Sequence, residues 1–290
     1  MHFIYSAMLA SAFMDVAIKM VSPDVPTWTL VTWRWAIAVL FLCPVVVWRF
    51  RPGDWRPFDK VHLCRSLLNG FGVFCLFHAL QNLPLAVVST VFFAEPVFTT
   101  LFAGVLKQER VTRADWLVSV LGFLGVATVL LGTRQHGALA WAWFDVDAGI
   151  AVLGAASFGL ATVITRRLAH GHSPLALAFW LAVCSTLIGA PMAGRELLQV
   201  SAPDLLLLAT AAVLGSAFGL LWVAGLKRIP ASTAASARYV TLPLGHLLGY
   251  LFFDETPSPS AALGGVMLLV VISGLMRPDV RRRIDAALGR

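Results

Sequence analysis

The sequence predicts an all-α integral membrane protein whose ten transmembrane helices form two inverted five-helix repeats. Composition is the first observation behind this. Of 290 residues, 59% are hydrophobic and only 13% charged, against about 25% charged in soluble domains, and mean hydropathy is +0.81. The second is a set of windows with no formal charge: Leu117 to Thr133, Gly149 to Thr165, Leu205 to Leu226, Tyr239 to Phe253 and Thr256 to Met276. Most of them approach the roughly 20 apolar residues that cross a hydrocarbon core. The third is an echo. LPLAVVSTVFFAEPVFTTLFAGVLKQER over 83–110 is answered by IPASTAASARYVTLPLGHLLGYLFFDET over 229–256, with Pro84 and Glu109 recurring as Pro230 and Glu255 at one interval.

Lipid offers no partner to a backbone N–H or C=O, so each span must bond within itself and is a helix. The first, 3–20, has no basic leader and no small-residue cleavage site after it, and reads as a retained helix. SPDVP at 22–26 separates it from 27–48, and RPGDWRP at 51–57 precedes 62–81. The first copy of the echo supplies 85–106, and 114–132 follows Arg113. Span 148–165 stops at Arg166 and Arg167, GHSP at 171–174 opens 174–193, and APD at 202–204 opens 204–226. The second copy supplies 231–253, its charge-free window extended upstream through Arg238, and TPSPS at 256–260 leads into 258–276. The expected organisation is a first repeat over 1–133, a periplasmic linker over 134–147, a second repeat over 148–276 and a basic cytoplasmic tail over 277–290.

Basic residues set the orientation. Of the 22 Lys and Arg, only Lys19, Arg134 and Arg195 fall on one side, while Arg34 and Arg238 fall within spans. The rest, among them Arg49, Lys60, Arg65, Lys107, Arg166, Lys227 and Arg281, fall on the other, which the positive-inside rule makes cytoplasmic along with both termini. The net charge of +7 is therefore a topology signal. Basic residues scattered over alternate short loops do not form the stripe that nucleic acid requires. Cys43, Cys64, Cys75 and Cys184 form no CxxC pair and suggest neither a disulfide framework nor a metal site.

Five spans per repeat is an odd number, so the second repeat enters the membrane from the opposite side. Inverted repeats of this kind underlie alternating access in many secondary transporters. Pro96 in the fourth span and Pro243 in the ninth each remove an N–H and weaken the bond to the carbonyl four residues back, at Phe92 and Tyr239.

Charges within lipid cost about 2.5–3.5 kcal/mol on insertion scales and face cavities or partners. Here they are Asp15, Lys19, Arg34, Glu95 and Arg238. Asp15 and Lys19 stand at i and i+4, a spacing that also suits a local ion bridge. Arg34 suits either a ligand or burial against Glu95 or Asp15. The repeat shows that these charges are not demanded by the scaffold. Thr241 answers Glu95, Phe92 answers Arg238, and the sixth span offers an uncharged GAASFGLATVIT where the first has its pair. An asymmetric polar ligand accounts for that mismatch. Trp33 beside Arg34 and Tyr239 beside Arg238 add rings over which a cation or a planar group can stack. The substrate-binding candidates are thus Asp15, Arg34, Glu95, Arg238, Tyr239 and Trp33.

No nucleophile elbow, no zincin motif and no phosphate-binding loop is present, so the sequence points away from an enzyme and from direct ATP drive, and implies no cofactor. The expected partners are the bilayer and a small molecule; a coupling ion and a counter-substrate are both left open, as is the oligomeric state.

Across nearly its whole length the chain resembles the ten-helix EamA-type members of the drug/metabolite transporter superfamily, including the LP…E and IP…E flanks of the fourth and ninth spans. Within it, MDVAIK at 14–19, RW…CPVVVW from Arg34, RPF at 56–58 with Arg65, and ARYV at 237–240 look similar to rickettsial S-adenosylmethionine uptake transporters. VLGFLGVATVLL at 120–131 fits the wider family. Glu95 and His246 depart from that likeness. The resemblance implies a bacterial inner-membrane secondary carrier for a zwitterionic or cationic metabolite, S-adenosylmethionine first, with an exporter of amino acids or drug-like amphiphiles as the alternative.

Overall fold

A computed structural model describes residues 2–50, 60–82, 91–107, 111–132, 146–254 and 280. Among these the secondary structure is wholly helical. In chain order the helices are α1 (His2–Lys19), α2 (Thr27–Arg49), α3 (Lys60–Asn82), α4 (Glu95–Val105), α5 (Arg113–Gly132), α6 (Val146–Ala169), α7 (Pro174–Ala193), α8 (Ala202–Leu226), α9 (Ala231–Ser236) and α10 (Thr241–Phe253). Short 3-10 turns cover Gly194–Gln199 and Ala237–Val240. The span expected over 258–276, the start of that expected over 85–106, and nearly all of the linker and tail lie outside the described residues.

Local chemistry sets several boundaries. Ser173 caps α7 by accepting from the Ala176 N–H at 3.1 Å, and Ser201 accepts from the Asp204 N–H at 3.3 Å ahead of α8. Both helices carry proline in the first turn, where its missing N–H costs nothing. Thr112 and Asp115 form a reciprocal cap on α5: Asp115 Oδ2 accepts from the Thr112 N–H at 2.9 Å, and Thr112 Oγ1 accepts from the Asp115 N–H at 3.2 Å.

Two expected spans are interrupted next to the prolines that the sequence marks as weak points. Residues 91–92 are helical, 93–94 form a turn, and α4 starts at Glu95 with Pro96 in its first turn. The ninth span is α9, the 3-10 turn Ala237–Val240, and α10, with Pro243 in the first turn of the last. Each interruption falls just before the proline, where the ring clashes with the preceding turn and a carbonyl loses its donor.

The chain divides into two compact units. The first combines Met1–Gly70 with Ile164–Arg228. In it α1 packs on α8, and α2 packs on α7 and α8. Leu42, Val46, Ala178 and Phe179 form one apolar cluster, and Ala38, Ala182 and Ala212 form another in which small residues bring helix backbones close. Gly225 leaves room for Ile4, which a Cβ there would meet. The second unit combines Phe71–Val163 with Ile229–Arg290. In it α9 packs on α4 and α5, and α4 on α5. Both units therefore draw on both halves of the sequence.

Four helices of the described residues are long and apolar enough to cross a membrane: Thr27–Arg49, Gly149–Ala169, Pro174–Gln199 and Ala202–Leu226. Their surfaces agree with that. Trp48 is 82% exposed and Leu206 71%, an outward face suited to lipid and not to water.

Candidate functional site

In the second unit, the two helix interruptions bring Glu95 and Arg238 together. Arg238 Nη1 donates to Glu95 Oε2 in an ion pair. The carboxylate's other oxygen, Oε1, accepts from Thr162 Oγ1 of α6 at 3.3 Å. The Glu95 side chain is 7% exposed and that of Arg238 32%, so the acid is enclosed while the base still reaches solvent-accessible space.

Hydroxyl groups satisfy the surroundings. Thr99 Oγ1 donates to the Glu95 carbonyl at 3.0 Å and Thr100 Oγ1 to the Pro96 carbonyl at 2.8 Å. Thr241 Oγ1 donates to the Arg238 carbonyl at 2.6 Å. Tyr239 is fully buried, stacks on Phe93, and donates its hydroxyl to the Ser119 carbonyl at 2.9 Å. Gly122 is one turn further along α5, and a Cβ there would collide with the Tyr239 ring. Thr233 of α9 donates to Asp115 Oδ1 at 3.4 Å. A polar lattice thus fixes the segment that carries Arg238 and Tyr239.

The first unit holds Asp15, Trp33 and Arg34. Arg34 lies over the Trp35 ring, 4.1 Å from its centroid, and donates from Nη1 to Met14 Sδ at 2.9 Å. Asp15 acts on it electrostatically. Among the described residues its guanidinium is thus held by soft acceptors, a ring face and a thioether, rather than by a carboxylate hydrogen bond. Gly215 makes room for it, since a Cβ there would stand 2.8 Å from Arg34 Nη1. Asp15 is exposed on α1. Trp33 is half-buried, and its indole Nε1–H donates to the Leu197 carbonyl at 2.8 Å, so it anchors the 3-10 turn to α2.

Of the six residues singled out from sequence, Glu95, Arg238 and Tyr239 stand together in one unit and Asp15, Arg34 and Trp33 in the other. Within its own unit, Arg34 has Asp15 as the carboxylate that acts on it. Sequence reasoning missed Thr162, Ser119 and Met14, whose types are ordinary in membrane helices. It also counted Arg65, at the start of the expected span 62–81, only as a charge of the inner side. That side chain is instead 3% exposed and donates from Nη2 to the Leu177 carbonyl at 2.9 Å. His78 accepts or donates at 2.9 Å with Asp147, a pair the histidine alone did not reveal.

The EamA-like transporter family matches residues 1–131 and 148–277. The S-adenosylmethionine uptake transporter of Rickettsia prowazekii is 25% identical over 265 residues, covering 91% of this chain and 87% of the relative. The pseudopaline exporter of Pseudomonas aeruginosa is 24% identical, covering 93% and 94%. The riboflavin transporter of Rhizobium johnstonii is 28% identical, covering 89% and 83%. A solved crystal structure superposes with a TM-score of 0.78 at 20% identity, covering 99% of this chain and 98% of the other, which speaks for the fold. The relatives are transporters and not enzymes. The chain belongs to the EamA-like transporter family and is a multi-pass membrane transporter of a small molecule.

Proposed function

We propose that this chain is a secondary carrier of a small zwitterionic or cationic metabolite, with S-adenosylmethionine as the leading substrate. The observation that carries the reading is the Glu95–Arg238 pair at two helix interruptions, one member enclosed and the other accessible. S-adenosylmethionine has a carboxylate, an ammonium, a sulfonium and an adenine ring. Arg238 or Arg34 suits the carboxylate, a guanidinium being the geometric complement of that group. Asp15 or Glu95 suits the cationic centres, and Trp33 or Tyr239 the ring or the sulfonium. The Arg34 guanidinium, cradled by Trp35 and Met14, is the readiest of these for an incoming anion.

In this reading ten helices form two inverted repeats, 1–133 and 148–276, joined by the periplasmic linker 134–147 and followed by the cytoplasmic tail 277–290. The protein sits in a bacterial inner membrane with both termini in the cytoplasm, and works by alternating access. The likeness to the rickettsial uptake transporters supports the substrate. The likeness to a pseudopaline exporter supports a second reading, export of amino-acid-like or drug-like amphiphiles by the same fold.

Proteoliposome uptake of labelled S-adenosylmethionine, competed by S-adenosylhomocysteine, separates the two. Saturable uptake or exchange is the expected result. Its absence, with an amino acid moved instead, refutes the first reading and favours the second.

A further inference from the structure

The enclosed carboxylate has few ways to respond if its partner leaves. Glu95 Oε2 holds Arg238 and Oε1 holds the Thr162 hydroxyl, and the side chain is 7% exposed. Among the described residues, the titratable groups facing it are Arg238 and Tyr239 from the 3-10 turn; α6 contributes the Thr162 hydroxyl, and Asp115 of α5 is engaged by Thr112 and Thr233. Arg238 is the accessible member at 32%. A carboxylate ligand therefore reaches Arg238 first and draws the guanidinium from Glu95. What remains is a buried carboxylate with one hydroxyl donor, a state that is strongly disfavoured and that such groups escape by neutralising. For a ligand whose cationic centre does not settle at Glu95, a proton is what neutralises the carboxylate.

We propose that Glu95 takes up one proton each time a carboxylate ligand occupies Arg238, so that binding and transport by this chain are proton-linked. This rests on the reading of Arg238 as a substrate contact. In the step, the Arg238–Glu95 hydrogen bond breaks and the Arg238–ligand bond forms. A proton given up by a buffer acid in the surrounding solvent ends on the Glu95 carboxylate, leaving the buffer base behind, and no electrons move. Release of the ligand restores the pair and returns the proton. Because the bound state holds the extra proton, affinity rises as pH falls, by up to about tenfold per pH unit for one linked proton.

The test is calorimetric titration of the purified full chain with S-adenosylmethionine, methionine and acetate, in buffers of different ionisation heat and at several pH values. One proton taken up per carboxylate bound is expected, together with the appearance of a protonated-carboxyl band in the infrared difference spectrum. E95Q is expected to bind the probes without proton uptake and with a flat pH profile, and R238Q to lose affinity for all three. Should E95Q fail to insert, the infrared band of the unaltered protein decides alone. Binding without proton uptake, uptake that persists in E95Q, or no binding by any probe overturns the proposal. Failure of S-adenosylmethionine alone, with linked binding of methionine or acetate, refutes the substrate reading and leaves the coupling standing.

Discussion

A carboxylate and a guanidinium buried together cost less than either left alone, because each supplies the solvation the other has lost. Glu95 and Arg238 are such a pair, and the prediction at this scale is an asymmetry among variants. E95Q and R238Q singly are expected to destabilise the protein, by less than the roughly 3–5 kcal/mol of a fully buried pair since Arg238 is partly exposed. The double variant is expected to lose less than the two singles together. Thermal unfolding in one detergent checks this, and strict additivity would show that the pair is not coupled. Tyr239→Phe removes the donor to the Ser119 carbonyl and is expected to cost about 1 kcal/mol. These charges were legible because an apolar chain makes every ionised residue conspicuous. Thr162, Ser119 and Met14 were not, since hydroxyls and thioethers in membrane helices usually serve packing or bond their own backbone. Nor does the identity of Trp33 disclose that its N–H is already engaged by Leu197.

Helices α4, α9 and α10 owe their ends to proline. Without Pro243 the Tyr239 carbonyl regains an N–H donor, and Ala237–Val240 can continue as α-helix instead of a 3-10 turn. Pro243→Ala is therefore expected to raise amide protection over 237–243, to turn Arg238 away from Glu95, and to lower transport while expression persists. Hydrogen exchange read alongside uptake checks it; unchanged protection would show that the turn is imposed by packing on α4 and α5 rather than by proline. The prolines were legible as weak points, but the chain does not announce how a weakened turn resolves. That depends on tertiary neighbours such as Ser119, whose carbonyl accepts from the Tyr239 hydroxyl at 2.9 Å.

For the molecule as a whole, the all-helical, membrane-spanning class follows from hydropathy, whereas packing partners do not. A membrane helix is apolar on its lipid face and on its core face alike, so the stripe that tells a soluble helix which side to bury is missing. The repeat split the sequence near its middle, yet the compact units each take helices from both halves. The proposed inverted topology predicts that cysteines introduced at Met1 and Arg290, in a background lacking the native four, are reached by impermeant maleimide only after the inner face is opened. Labelling of one terminus from outside would contradict it. The central claim, that ionised groups within the membrane receive a polar cargo, is tested most directly by uptake of labelled S-adenosylmethionine into proteoliposomes holding the unaltered chain, R34Q or R238Q at equal insertion. The account predicts saturable uptake by the unaltered chain and a fall of tenfold or more, about 1.4 kcal/mol or greater, in each variant; equal flux in all three would contradict it.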